Sequence, residues 1–224
     1  MLSMPAKNTA KLYVENGYYH IYNRGVNKQS IFLDEKDYRV FLSYLKDYLT
    51  PKDKLAISLE LTKPKLTLPE RNEILKKLSL KNYSNEILLY CFALMQNHFH
   101  FVLKQKHKDA IDHFTNSFLS RYSVFFNKKY HHRGHVFEST YKAVLVENEP
   151  QLLELTRYVH KQAIAKKQPC SYKNYLGERN TTWINTSEIL SFFSKTNLQL
   201  SYKSFVEEKS NIEFINHLVL EEDD

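Results

Sequence analysis

Two histidines one residue apart, His98 and His100, stand in the run 94–103 (LMQNHFHFVL). Side chains at i and i+2 of a strand leave the same face, so two imidazoles there could grip one cation from a rigid platform. In a chain with 10 histidines such a pair is a weak motif by itself, and its worth depends on what converges on it. A second pair, Tyr158 and Gln162, lies four residues apart in 156–163 (TRYVHKQA), on one helical face beside an apolar stripe of Leu152, Leu155, Val159 and Ala163. If that face looks onto the histidine strand, the Gln162 carbonyl oxygen becomes a third ligand, with open positions left for a phosphate. Two nitrogens and one neutral oxygen suit Mg²⁺ or Mn²⁺, and Tyr158 is then the nucleophile.

The elements that must position these groups follow from spacing and capping signals. The stretch 17–25 (GYYHIYNRG) reads as a short strand. Asp34 can cap a helix carrying Tyr38, Phe41, Leu42, Leu45, Tyr48 and Leu49 at helical spacing. Residues 51–86, with three prolines and many lysines, look like an insertion, inside which Thr67, Glu70 and Pro69 mark a short helix near 68–80. Residues 87–95 and 98–105 are two apolar runs separated by Gln96 and Asn97, a hairpin with the histidines opening its second strand. Ile111, Phe114, Phe118, Tyr122 and Phe125 mark a long helix ended by His131 to Gly134. A strand at 141–146 and a helix capped by Asn148, with Gln151 as its reciprocal partner, complete the order β, α, β, β, α, β, α. The expected fold is α+β: a ferredoxin-like (split βαβ) antiparallel sheet with helices on one face, plus an added helix bearing Tyr158. The domain spans 11–167, and 168–224 is a C-terminal extension packing on it, ending in an acidic tail.

Composition narrows the class. With 42% hydrophobic residues in 224 there is ample material for a core, and no run approaches the roughly 20 apolar residues of a membrane span. No signal-peptide pattern opens the chain, so a cytoplasmic, nucleoid-associated location is expected. Cys91 and Cys170 stand apart from any CxxC spacing, which points away from a disulfide framework or a cysteine zinc site. The formal net charge of +7 conceals an acidic end: residues 207–224 carry −6, leaving +13 on 1–206. Eight lysines and arginines crowd 104–142, among them Arg121, Lys128, Lys129, Arg133 and Lys142. Such a surface attracts phosphate backbones, and the 16 tyrosines and 14 phenylalanines include faces on which unpaired bases could stack; a solvated basic helix over ordinary core aromatics is the bland alternative. Asn23 and Arg24 are either base contacts or polar groups of a turn, and Lys161 either stabilises charge near Tyr158 or is a solvated helix lysine.

At His98-Phe99-His100 the chain resembles the HUH motif, and Tyr158 with Gln162 resembles the catalytic tyrosine and metal-ligating glutamine of the single-tyrosine HUH transposases, the IS200-like family. Segments 20–25, 31–32, 95–100 and 134–142 agree in order and spacing, and 172–177 with Trp183 and 202–206 look like the REP-associated branch. Two departures stand out: Gln162-Ala163 where REP-associated members usually have Asn-Pro, and Pro169-Cys170 where Trp-Ser is usual. The resemblance implies that Tyr158 attacks a phosphate of single-stranded DNA next to a hairpin, giving a 5′-phosphotyrosyl enzyme and a free 3′-hydroxyl. The reaction needs Mg²⁺ or Mn²⁺ but no nucleotide cofactor. An ordinary phenol, with a pKa of about 10, is only about one part in a thousand ionised at pH 7, a deficit of ~4 kcal/mol for such a site to offset. The implied partner is single-stranded or hairpin DNA, and the protein is a homodimer or a monomer. The competing expectation is a domesticated, non-catalytic hairpin-DNA-binding protein of the same fold.

Overall fold

The computed structural model describes residues 12–208 and 212–219. Strand β1 (Tyr18–Arg24) leads through a tight loop into α1 (Glu35–Leu49). Asp34 caps α1 in a reciprocal box with Asp37, whose fully buried carboxylate also accepts from the Leu33 N–H, Tyr130 and Lys129. The 51–86 stretch holds two helices that pack on each other. One, α2 (Lys54–Glu60), is additional to the sequence expectation and is capped by Asp53. The other, α3 (Leu68–Ser79), starts at the Thr67/Glu70 capping box.

Strands β2 (Ile87–Met95) and β3 (His98–Gln105) form the hairpin, followed by α4 (Ala110–Tyr130), which closes on a left-handed His131 at φ 49°. Then come β4 (Lys142–Val146) and α5 (Glu149–Ala165). Asn148 caps α5 by accepting from the Gln151 N–H, but the Gln151 carboxamide reaches back to the Glu147 N–H and not to the cap's own. Three short helices follow: α6 (Tyr172–Tyr175), α7 (Ser187–Leu190) and α8 (Tyr202–Glu207).

The four strands lie in the antiparallel order β2-β3-β1-β4 of a ferredoxin-like sheet. Strand alternation sorts the side chains into two cores. Tyr19, Ile21, Phe99, Phe101 and Leu103 face α1 and α4. Val102, Val144 and Val146 face α5, which lies on the other side with the C-terminal elements. A bulge between Leu89 and Cys91 shifts the β2 alternation, so Tyr90 and Cys91 both pack on the α5 side. His98 and His100 open β3 on that same side, beneath α5. No helix among the described residues is long and apolar enough to cross a membrane.

Candidate active site

The two histidines converge as alternation requires: their rings lie 4.9 Å apart at 87°. The chain around them is pinned by the hairpin turn, whose Gln96 carbonyl accepts from the Ile31 and Phe32 N–H groups and whose Asn97 carbonyl accepts from the Gly25 N–H. A Cβ at Gly25 would come within 2.1 Å of the Gln29 carbonyl oxygen, so only glycine permits this loop to close over the turn. Asn97 also orients the first histidine. Its Nδ2 donates to the Lys28 carbonyl (3.3 Å), which turns its Oδ1 toward His98 to accept from Nδ1 (2.6 Å). His98 therefore turns Nε2, shielded from solvent, away from Asn97.

His100 is fully buried, and its Nδ1 lies 2.9 Å from Nε2 of an equally buried His20. His20 is diagonal to His100 across the β1–β3 ladder, since Tyr22 pairs with His100 and His20 with Val102. Burial, reinforced by the neighbouring His98 and His20, holds the His100 pKa well below the usual histidine value, with the Gln162 side chain opposing weakly. Burial likewise pushes His20 down to about 4. Both are neutral at pH 7, the form that ligates.

Helix α5 brings the second pair. Leu152, Leu155, Val159 and Ala163 are buried against the sheet, which carries Tyr158 and Gln162 over the histidines. The Tyr158 ring meets the His100 ring edge-on at 5.9 Å, and Gln162 Nε2 makes a long contact of 3.4 Å to the Tyr158 hydroxyl. That contact directs the Gln162 amide nitrogen at Tyr158, and the carboxamide oxygen is shielded from solvent. His98, His100, Tyr158 and Gln162 thus come together within one chain.

The donor set fits a divalent cation. His100 Nε2 is buried and has no hydrogen-bond partner among the described residues. A buried polar atom so placed in a protein interior calls for a ligand. No three His, Cys, Asp or Glu side chains among the described residues cluster as a cation site, so a third protein donor has to be of another type. The Gln162 oxygen, shielded from solvent beside His100, is the one at hand.

Residues 62–162 match the family model described as transposase IS200 like, a span that takes in both histidines, Tyr158 and Gln162. Over these residues the chain is similar to the IS200-like transposases. Three solved structures resemble the chain at low identity. One is a REP-associated tyrosine transposase bound to a REP hairpin, at 9% identity and TM-score 0.46, covering 80% of this chain and 93% of that one. Another, a Deinococcus radiodurans R1 protein solved as a candidate transposase, has 13% identity and TM-score 0.36, covering 69% and 96%. The third is the tRNA(His) guanylyltransferase of Saccharomyces cerevisiae, at 13% identity and TM-score 0.34, covering 96% and 84%. No curated protein sequence matches the chain.

The basic residues singled out from the sequence do not gather on one surface of the described residues. Arg24, beside His98 in register, ion-pairs with Glu138. Lys142 pairs with Tyr22 on the histidine-bearing face, and Lys161 Nζ donates to the Glu208 carbonyl at 2.5 Å. Arg121, Lys128 and Lys129 belong to α4, on the opposite layer. There Arg121 bridges to Asp47 and stacks 3.7 Å over Tyr44, while Lys129 is committed to Asp34 and Asp37. Lys128 and Arg133 are exposed. Asn23 also points to the α4 side, holding the Ser139 carbonyl. Segments 20–25, 31–32 and 95–100 carry part of the resemblance, but the sequence assigned no role to His20, to Asn97 or to the 25–32 loop. The signal for His20 lay in its even register within β1, which acquires meaning only once β1 is paired with β3.

Proposed function

We propose that this protein cleaves and rejoins single-stranded DNA through a 5′-phosphotyrosine bond at Tyr158, with Mg²⁺ or Mn²⁺ held by His98 Nε2, His100 Nε2 and Gln162 Oε1. The observation that carries the reading is the convergence of the Tyr158 phenol, two buried imidazoles and a carboxamide oxygen inside the span similar to the IS200-like transposases. In the forward step the Tyr158 oxygen bonds to a backbone phosphorus, the bond to the preceding 3′-oxygen breaks, and the phenol proton is lost as the 3′-oxygen gains one. Rejoining is the reverse, with a 3′-hydroxyl displacing the phenolate. The bound cation supplies polarisation of a non-bridging phosphate oxygen and in-line placement of the phosphate. Tyr22 and His20 wall the site from beneath, and Arg24, Lys142 and Lys161 lie on the face along which a strand would run. The hairpin-bearing substrate, the REP-associated branch and the division into a 11–167 domain with a 168–224 extension belong to the same proposal. Because one chain contributes all four groups, a monomer suffices for the chemistry.

The test is a denaturing gel of the protein with labelled hairpin oligonucleotides carrying single-stranded flanks, with and without Mn²⁺. A slow-migrating covalent species that requires the metal and disappears in Tyr158→Phe supports the mechanism. Retained DNA binding with no adduct across a broad panel of flanking hairpins would leave the domesticated binding protein as the better reading.

A further inference from the structure

His100 and His98 must each expose a bare Nε2 to serve as ligands, and the structure shows what enforces this at His100. His20 Nδ1 lies 2.5 Å from the Leu218 carbonyl oxygen. A backbone carbonyl only accepts, so His20 carries its proton on Nδ1 and presents a lone pair at Nε2. The atom facing that lone pair, His100 Nδ1, must therefore donate, which strips Nε2 of hydrogen on the side facing Tyr158 and Gln162. The rings stack at 5.1 Å and 17°, both fully buried, so neither can rotate toward water for another partner.

Leu218 belongs to the chain's C-terminal part. Ile215 and Leu218 are fully buried in the α5-side core, and the turn of 3-10 helix Ile212–Ile215 that precedes Leu218 packs against α5. We propose that His20 and the Leu218 carbonyl form a positioning relay that sets the tautomer of His100, so that the segment 212–219 helps prepare the site for its cation although it contributes no ligand. This rests on the reading of His100 as a ligand. The choice of a backbone carbonyl matters physically. A carboxylate or a side-chain amide in that place could titrate or flip, whereas a carbonyl holds the proton order of the whole chain in one direction.

Nitrogen-15 spectra of the histidine rings in the metal-free full-length protein at pH 7 read the relay directly. The expected result is Nδ1–H with bare Nε2 at both His20 and His100. An Nε2–H proton on either ring overturns the proposal, whatever the protein does to DNA. His20→Phe keeps an aromatic ring, though a larger one, and removes the acceptor; His100 should then shift toward Nε2–H, and Mn²⁺ affinity by calorimetry should fall about 10- to 100-fold. His20→Gln, whose carboxamide oxygen can accept from His100 Nδ1, should restore most of both. An unchanged His100 tautomer and unchanged Mn²⁺ affinity in His20→Phe sink the relay. Should that variant not fold, the wild-type spectrum decides alone. A wild-type protein that shows the expected tautomers but binds no Mn²⁺ would instead count against the metal-dependent reading of the site.

Discussion

Burial keeps three histidines of this protein neutral, and that makes acid its weak point. His20 is pushed down to about 4 and His160 to about 3, each by burial first, and His100 well below its ordinary value. In the unfolded chain these rings protonate near 6.5, so between roughly pH 6.5 and 4 the unfolded state binds more protons than the folded one. The stability due to neutral burial is complete above that window and drains away as pH falls through it, by up to about 1.4 kcal/mol per pH unit for each ring. Urea unfolding followed from pH 7.5 to 4.5 should show this decline, and His160→Gln should make it shallower; a flat profile contradicts the assignment. The ligands themselves predict a second result. His98→Ala and His100→Ala should each lose Mn²⁺ binding in calorimetry, while Tyr158→Phe, which removes only an oxygen, should bind Mn²⁺ as the wild type does and yield no covalent DNA.

At the scale of elements, the question is what holds α5 still enough to keep Tyr158 and Gln162 over the histidines. The helix is clamped from the side opposite Tyr158. His160 Nε2 and Nδ1 lie 2.7 Å from Ser171 Oγ and the Tyr202 hydroxyl respectively, and Ser171 Oγ accepts from the Phe92 N–H at 2.9 Å. One buried imidazole thus ties α5 to β2 on one hand and to α8 on the other. Arg157 adds a second tie: it pairs with Glu154 and lies 3.8 Å over the Phe205 ring. Ser171→Ala leaves a buried imidazole nitrogen and a buried N–H without their partner, and should cost about 1–3 kcal/mol in denaturant unfolding. The same variant should lose cleavage rate more than Mn²⁺ affinity, since two of the three ligands sit on the sheet, whereas the tyrosine rides on the loosened helix with Gln162. On the other layer, Asp37 gathers Lys129, Tyr130 and two backbone N–H groups at the start of α1. Asp37→Ala leaves Lys129 its Asp34 partner but takes the acceptor from the Tyr130 hydroxyl and two backbone N–H groups, and should cost about 1–3 kcal/mol, measured the same way.

For the whole molecule, the distribution of charge matters more than its total. The cations of α4 that looked like a phosphate surface are partly spent inside the protein: Arg121 and Lys129 join α4 to α1. Arg24, Lys142 and Lys161 lie on the histidine side of the sheet. If a single strand runs along that side, replacing these three with alanine should flatten the salt dependence of DNA binding by about 2 in the slope of log K against log salt, at about 0.7 for each phosphate contact. Arg121→Ala should instead lower stability and leave the slope unchanged. Fluorescence anisotropy over a salt series distinguishes the two outcomes.

Local chemistry made much of this protein legible in its sequence. The caps at Asp34, Thr67 and Asn148, the Gln96-Asn97 turn, the period-two strands and the stripe on α5 are all decided by neighbours within a few residues, and the elements stand where those signals put them. The pairing of His98 with His100 is of this kind, as is that of Tyr158 with Gln162, because i, i+2 on a strand and i, i+4 on a helix are geometric facts of one element. Which face each element turns to another is not a local matter. That Arg121 and Lys129 are held by acids on α1, that His20 lies diagonal to His100, and that Leu218 returns from the far end of the chain to receive the His20 proton depend on strand register and layer packing. These contacts join residues 74 to 198 positions apart. No periodicity reaches that far; such contacts exist only when burying two apolar faces of one sheet has brought the segments together.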